Sequence, residues 1–119
     1  MPIYVIHQHF AKKAGLHYDL RIEMEGVLKS WAMRKEPPID KGVKRLCIPQ
    51  ADHELSYAGF EGEIVEGYGA GIVKIWDKGE YKLLEYEPDK KIVMYIYGSK
   101  LNGKYILINT LRGWLFFKT

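Results

Sequence analysis

The sequence has little that would support a covalent framework, a membrane span or a strong charge field. Its 119 residues include one cysteine, Cys47, which excludes an intramolecular disulfide and a zinc site built from several thiolates. No apolar run approaches membrane-spanning length, and Met1-Pro2-Ile3 lacks the charged and hydrophobic regions of a signal peptide. The formal net charge of +3 is only weak support for a nucleic-acid partner. We expect one cytoplasmic domain spanning residues 1–119, with no membrane contact.

Two common catalytic arrangements are also missing. No Ser-His-Asp order or Cys-His pair indicates a covalent nucleophile, which favours hydrolysis by a metal-oriented water. The glycine-rich stretch 66–71 lacks the Lys-Ser/Thr of a Walker loop, and it enters a predicted strand where a phosphate loop requires a helix. We expect these glycines to form a bulge or a barrel corner.

Alternating strand patterns and turn signals fill most of the chain. Hairpins are predicted over residues 17–33, around Lys78-Gly79 and around Leu101-Asn102-Gly103, with residues 113–118 as a final strand. Residues 10–15 are the only stretch that predicts a helical turn. Because closure removes exposed strand edges, a barrel is favoured over a strongly curved sandwich. We predict an all-β fold, a compact antiparallel β-barrel of about eight strands with at most one or two short helical turns.

Three of the four histidines lie in one short stretch near the start of the chain. Residues two apart in a strand share a face, so His17, Asp19 and Arg21 lie together, opposite an apolar face. The same rule places His7 beside His9. If the two strands are neighbours, His9 meets His17 and Asp19, and two imidazoles with one carboxylate suit Mn, Fe or Zn with coordination positions left open.

Arg21 adds an anion-binding function to this face. Its planar fork of donors matches phosphate or carboxylate, and three polar groups on one strand face would be costly to bury without partners. His7 by itself is more often a hydrogen-bonded structural residue than a ligand. The pattern therefore predicts a combined metal and anion site.

Other candidates lie further along the chain. His53 can donate a hydrogen bond or a proton to a phosphate oxygen if it lies near the cluster, and is otherwise a loop histidine. Tyr57 is one of nine tyrosines, most of which must be packing residues. Basic side chains leading up to His53 could form one positive rim; they are Arg34, Lys35, Lys41, Lys44 and Arg45.

Several linked motifs resemble one family. The segments YVIHQH, LHYDLRIE, GVLKSWA, KRL, ADHELSY, FEG and YGAGIVKIWD are similar, in this order, to those of the 3′-phosphoesterase module of bacterial ATP-dependent DNA ligase D, which also occurs as small free-standing proteins. The resemblance covers essentially the whole chain. It implies a β-barrel that heals DNA 3′ ends in non-homologous end joining, first removing a terminal 3′ ribonucleoside and then the remaining 3′-phosphate to leave a 3′-hydroxyl.

The resemblance also implies a cofactor, partners and roles for individual residues. The cofactor is a divalent metal, with manganese preferred and cobalt, zinc or copper as alternatives, and the partners are DNA primer-template ends and a DNA ligase or polymerase, with the protein a monomer. By motif position, His9, His17 and Asp19 are metal ligands; Arg21, His53 and Tyr57 are catalytic and bind the phosphate; and Lys35 and Arg45 complete the phosphate pocket.

Two of the departures from the family pattern fall in the predicted site. The spacer between His9 and His17 is longer than usual, and His7 stands where the family commonly has glutamine, so that an extra imidazole could join the metal shell or hydrogen-bond a ligand. Two other functions stay open on the residues alone. One is a small-barrel nucleic-acid-binding subunit without catalysis, and the other is an RNA-end or cyclic-phosphate esterase.

Overall fold

Strands make up most of the chain in the computed structural model, which describes residues 1–119. Nine strands follow one another: β1 (Ile3–Ala11), β2 (Gly15–Met24), β3 (Val27–Met33), β4 (Lys44–His53), β5 (Gly62–Ile64), β6 (Gly71–Glu87), β7 (Lys91–Gly98), β8 (Asn102–Thr110) and β9 (Gly113–Lys118). A short 3₁₀-helix at Leu55–Gly59 connects β4 to β5. The structure contains no helix with the length and apolar character needed to cross a bilayer.

Eight of the strands close into a ring. Their order is β1-β2-β3-β4-β9-β8-β7-β6, β6 pairs again with β1, and all neighbours are antiparallel. The three-residue strand β5 pairs only with the first residues of β6, which then pairs with β7. The predicted all-β antiparallel fold of about eight strands with one short helical turn is confirmed.

Both faces of β1 and β2 are buried, although they pack against different partners. One face contributes residues such as Ile6, Leu20 and Ile22 to a core cluster of 18 buried residues drawn from strands around the ring. The opposite face carries polar residues that are also inaccessible, among them His7 and Arg21. The second face is buried because the segment between β4 and β6 lies over it, bringing the Phe60 carbonyl to 3.1 Å from His7 Nε2.

The hairpin predicted at Lys78-Gly79 is wrong. β6 runs without a turn from Gly71 to Glu87, and Gly79 pairs with Tyr4 on one side and Gly98 on the other. A Cβ at Gly79 would lie 2.2 Å from the Tyr97 carbonyl oxygen. The glycine is therefore required by the close approach of β7, not by a change of chain direction.

Two smaller predictions also need correction. The helical turn predicted over residues 10–15 is wrong, because β1 and β2 extend into this segment and leave only a tight turn at residues 12–14. The hairpin near Leu101 is confirmed, but its turn lies at residues 99–101 and β8 begins at Asn102. Among residues 66–71, Gly71 lies where a Cβ would meet the Phe10 carbonyl oxygen at 2.2 Å, in accord with a close backbone approach.

Candidate metal and phosphate site

The β1–β2 register brings together the three residues predicted to bind a metal. His9 pairs directly with His17, and Asp19 lies two residues further along β2 on the same face. One Asp19 carboxylate oxygen, Oδ2, lies 3.8 Å from His9 Nδ1 and 3.3 Å from His17 Nε2. Each residue offers one ligand atom, and these atoms all lie within 4.8 Å of one another. Strand alternation thus predicted the grouping correctly.

Backbone carbonyls fix which nitrogen each imidazole offers. His9 Nε2 lies 2.8 Å from the Gly69 carbonyl oxygen, and His17 Nδ1 lies 3.2 Å from the Gly15 carbonyl oxygen. Because a carbonyl can only accept, these nitrogens carry the hydrogen, and when the two rings are neutral the lone pairs lie on His9 Nδ1 and His17 Nε2 beside Asp19; a protonated His17 donates from Nε2 to Asp19 instead. An outer hydrogen bond of this kind is typical of metal-ligating histidines. The donor set therefore fits a divalent transition metal.

The charge state of the group is suited to binding a cation. Burial by itself raises the pKa of Asp19, but the hydrogen bond from His17 and the positive charge of Arg21 outweigh it, so that the net pKa is lowered. The same hydrogen bond to Asp19 raises the pKa of His17. The carboxylate is thus ionised at neutral pH, and it favours the protonated form of His17 beside it.

Arg21 lies beside the metal group and is held by three hydrogen bonds. Its Nε donates to His7 Nδ1 at 3.1 Å, Nη1 donates to Ser30 Oγ at 2.9 Å, and Nη2 donates to Asp19 Oδ2 at 3.3 Å. Arg21 is 4% exposed, and burial lowers its pKa, although a guanidinium stays charged at any ordinary pH. Asp19 therefore belongs to both the metal group and the anion site.

His7 contacts Arg21 and does not belong to the metal group. Its Nε2 must donate to the Phe60 carbonyl, which leaves Nδ1 to accept from Arg21. Burial, and secondarily the charge of Arg21, lower the pKa of His7 to about 4. His7 is therefore a neutral imidazole with a fixed tautomer that connects Arg21 to the covering segment.

His53 and Tyr57 complete the surroundings of Arg21. Their rings are stacked with centroids 4.5 Å apart, and Arg21 Cζ lies 5.0 Å from the Tyr57 ring centroid, within cation–π range. Burial, with the charge of Arg21, lowers the pKa of His53, and burial raises the pKa of Tyr57. The structure thus places His53 in a cluster with the phosphate-binding candidates.

Lys35 and Arg45 lie on another side of the site. They line a cleft of about 500 Å³ that also reaches His17, and no hydrogen bond joins them to Arg21, His53 or Tyr57. Arg45 Nε donates to the Glu36 carbonyl at 2.6 Å. Of the five bases expected to form a rim, four line this cleft and Lys41 does not.

Several functional contacts were missed by sequence reasoning. Ser30 accepts a hydrogen bond from Arg21 and orients it. Strand alternation could have indicated this contact, because Ser30 pairs with Arg21 across β2 and β3 and lies on the same face of the sheet. The carbonyls of Phe60 and Gly69 carry no signal in a sequence. Tyr68 lines the cleft and was considered only as part of a glycine-rich corner.

The fold and the site define a small closed β-sheet protein with a candidate divalent-metal group next to a buried arginine that has two free N–H donors. A family model described as the DNA ligase D 3′-phosphoesterase domain matches residues 7–109. The match covers most of the chain and includes every residue of the metal group. The chain belongs to this family.

Full-length relatives agree with the family model. The multifunctional non-homologous end joining protein LigD of Pseudomonas aeruginosa is 44% identical over 117 residues, which cover 92% of this chain and 14% of that protein. LigD of Mycobacterium tuberculosis is 42% identical over 111 residues, or 90% of this chain and 14% of that protein. LigD of Mycolicibacterium smegmatis is 39% identical over 124 residues, which cover 94% of this chain and 16% of that protein. The chain thus spans only a small fraction of the length of these relatives.

Proposed function

We propose that this protein is a metal-dependent 3′-end-healing phosphoesterase that removes a 3′-phosphate, and a terminal 3′ ribonucleoside, from DNA to leave a ligatable 3′-hydroxyl. The observation that carries the proposal is the adjacency of the His9-His17-Asp19 group to Arg21, with the Asp19 carboxylate shared between them. Membership of the DNA ligase D 3′-phosphoesterase family supports it. We propose Mn²⁺ as the cofactor, with cobalt, zinc or copper as substitutes, and a DNA ligase or polymerase as the cytoplasmic partner.

In this proposal, His9, His17 and Asp19 hold the cation. A divalent metal bound there supplies Lewis acidity toward a phosphoryl oxygen and orients the attacking water. The chain prepares the site in advance, because the Gly69 and Gly15 carbonyls fix both imidazoles before any metal arrives.

Arg21 grips the phosphate. Three of the five N–H donors of a guanidinium are used by His7, Ser30 and Asp19, which leaves one N–H on each terminal nitrogen. These two donors can each bond one phosphate oxygen. The buried fork therefore stabilises the negative charge that develops on the phosphoryl group, without reorganising during the reaction.

His53 and Tyr57 act on the same phosphate. Because its pKa is lowered, His53 is neutral at pH 7 and donates one hydrogen bond to a phosphate oxygen. Tyr57 keeps its hydroxyl proton, since burial raises its pKa, and its ring holds His53 and Arg21 in position. Lys35 and Arg45 attract the anionic end from the neighbouring cleft.

The test uses a 5′-labelled primer-template whose primer ends in a 3′-phosphate or in one ribonucleotide, incubated with Mn²⁺. We expect both substrates to yield a primer that ends in a deoxyribonucleotide 3′-hydroxyl, the second one shorter by its ribonucleotide. We expect His9→Ala or Asp19→Asn to lower the rate by more than the roughly 10- to 100-fold that loss of an outer hydrogen-bond partner costs. Asp89→Asn, at an exposed turn, is the matched control. Binding of the primer-template without conversion, while a reference 3′-phosphatase works in the same buffer, would contradict the proposal.

A substrate panel decides between DNA and RNA ends. The 2′-hydroxyl is the group that distinguishes the two sugars at any one position. With deoxyribose as the penultimate sugar, a terminal ribonucleoside should be removed, whereas a terminal deoxyribonucleoside with a 3′-hydroxyl should stay. Faster turnover of an all-RNA end or of a cyclic phosphate would instead identify an RNA-end esterase.

A further inference from the structure

An apolar surface continues from the metal group across the outer face of the sheet. The strand registers place Asp19 of β2 beside Ala32 of β3, and Ala32 beside Ile48 of β4. Leu46 lies two residues from Ile48 and therefore shares its face. Leu46 is 56% exposed and Ile48 is 57% exposed. Two large aliphatic side chains thus face solvent in line with a candidate metal ligand.

Ala32 explains why this surface is concave. It is the smallest side chain in the row, and it lies between Asp19 and Ile48, where a larger residue would close the space. The resulting cleft of about 500 Å³ is lined by His17 and by Tyr68, whose side chain is 80% exposed. This volume lies within the roughly 300–1,000 Å³ typical of pockets that bind small organic groups.

The charges around the cleft are of one sign. No acidic residue lines it, and four basic residues do: Arg34, Lys35, Lys44 and Arg45. Lys44 Nζ lies 4.9 Å from the Phe117 ring centroid, and Arg45 is held by the Glu36 carbonyl, so two of these cations have defined positions. An apolar floor with an exposed aromatic ring and a cationic rim complements a nucleotide, since every base has a flat apolar face and every linkage is anionic.

We propose that this cleft binds the terminal nucleoside of the nucleic-acid substrate, with the base against Tyr68, Leu46 and Ile48, and the adjoining backbone phosphate on the cationic rim. The inference rests on the proposed function, because it takes the reacting phosphate to lie at the metal group. Because His17 belongs to both the cleft and the metal group, a nucleoside in the cleft has its 3′-phosphate beside that group. The contacts involve a base face and no base edge, so the cleft accepts all four bases.

The test measures the coupling between Tyr68 and the terminal base. A 5′-labelled oligonucleotide ending in a 3′-phosphate is compared with one whose terminal nucleoside is abasic, and binding is followed by fluorescence anisotropy in EDTA so that no hydrolysis occurs. Base–aromatic stacking corresponds to roughly 5- to 150-fold in affinity. We expect a loss of at least about 5-fold in the parent protein when the base is removed.

Variants isolate the contact. Tyr68→Ala should weaken binding of the intact end by the same factor and should not weaken binding of the abasic end further. The half-exposed aromatic control Tyr97→Ala should bind both ends as the parent protein does. Ile48→Ser should reproduce part of the Tyr68→Ala effect, with Leu84→Ser as its control. Equal binding of intact and abasic ends by the parent protein, independent penalties from Tyr68→Ala and base removal, or the absence of oligonucleotide binding would overturn the inference.

The two proposals fail in different ways. Coupling between Tyr68 and the base without any hydrolysis in Mn²⁺ would support the nucleoside-binding cleft and contradict the phosphoesterase activity. Hydrolysis without coupling would support the activity and contradict the role of the cleft.

Discussion

The Nε of Arg21 donates a hydrogen bond across 3.1 Å to Nδ1 of His7, a neighbour from the adjacent strand β1. This bond uses the inner N–H of the guanidinium, and the two terminal nitrogens keep one free N–H each. His7 in turn donates to the Phe60 carbonyl, so that the segment covering the site is joined to the proposed phosphate-binding group. His7 is thus a positioning residue for Arg21.

Substitution of His7 should distinguish this positioning role from simple packing. His7→Leu leaves the Arg21 Nε–H and the Phe60 carbonyl without partners, which should cost about 1–3 kcal/mol of the free energy of unfolding, measured by urea denaturation. His7→Gln supplies an acceptor and a donor in one side chain and should recover most of that loss.

Activity on a 3′-phosphate end provides the second measurement for His7. We expect kcat to fall in His7→Leu and to be largely retained in His7→Gln, with Mn²⁺ affinity nearly unchanged in both, because His7 lies outside the metal group. A large loss of Mn²⁺ affinity in His7→Leu, with normal folding, would show instead that His7 belongs to the metal shell.

Removal of the Asp19 charge should abolish metal binding. Asp19→Asn keeps the shape of the side chain but removes the anionic oxygen that lies 3.3 Å from His17 Nε2 and 3.8 Å from His9 Nδ1. We expect Mn²⁺ binding, followed by calorimetry or electron paramagnetic resonance, to fall below detection at concentrations that saturate the parent protein. Undiminished Mn²⁺ affinity in a folded Asp19→Asn variant would place the metal elsewhere.

Strand alternation made the metal group predictable from the sequence. A period of two puts His17, Asp19 and Arg21 on one face whatever else the chain does, and adjacent strands joined by a short turn are normally paired. The register of β1 against β2 adds His9 to the group, since His9 lies directly opposite His17. The prediction that these side chains lie together is confirmed, because it depended only on local geometry.

Features that depend on distant segments were not predictable in the same way. Lys78-Gly79 has the composition of a turn, but the glycine is needed because β7 passes close to its backbone, and the position of β7 is set by the closed ring. The carbonyls that fix His7 and His9 belong to residues 53 and 60 positions further along the chain. Contacts with backbone atoms at such separations carry no residue-type signature.

Cys47 should be unreactive toward thiol reagents in the folded protein. The side chain is 2% exposed, and burial raises the pKa of the thiol from 9.0 to about 12. At pH 8 the thiolate fraction is then on the order of 1,000-fold lower than for a free cysteine, and modification by a chromogenic disulfide should be correspondingly slow.

The raised pKa of Cys47 also predicts how the stability of the protein changes with pH. Because the folded-state pKa is raised, the contribution of Cys47 to stability is complete below about pH 9 and is lost as the pH rises toward 12. Cys47→Ala should remove this part of the alkaline loss of stability. Rapid labelling of the parent protein at pH 8 without denaturant would contradict the assignment.

Asp77 should contribute more to stability than any surface ion pair, because it organises the β7–β8 turn from inside the protein. Its Oδ1 accepts from the backbone N–H groups of Ser99 and Lys100, both at 3.1 Å, and its Oδ2 accepts from Leu101 N at 2.8 Å and Tyr4 Oη at 2.5 Å.

Asp77→Ala leaves these donors unpaired in a site that is 5% exposed, and should lower the free energy of unfolding by about 3–5 kcal/mol. Tyr4→Phe removes one of the four bonds and should cost about 1–2 kcal/mol, whereas Asp52→Asn at an exposed ion pair should cost less than about 1 kcal/mol. Urea denaturation of the three variants gives the order directly, and an Asp77→Ala effect as small as that of Asp52→Asn would show that the turn forms without the carboxylate.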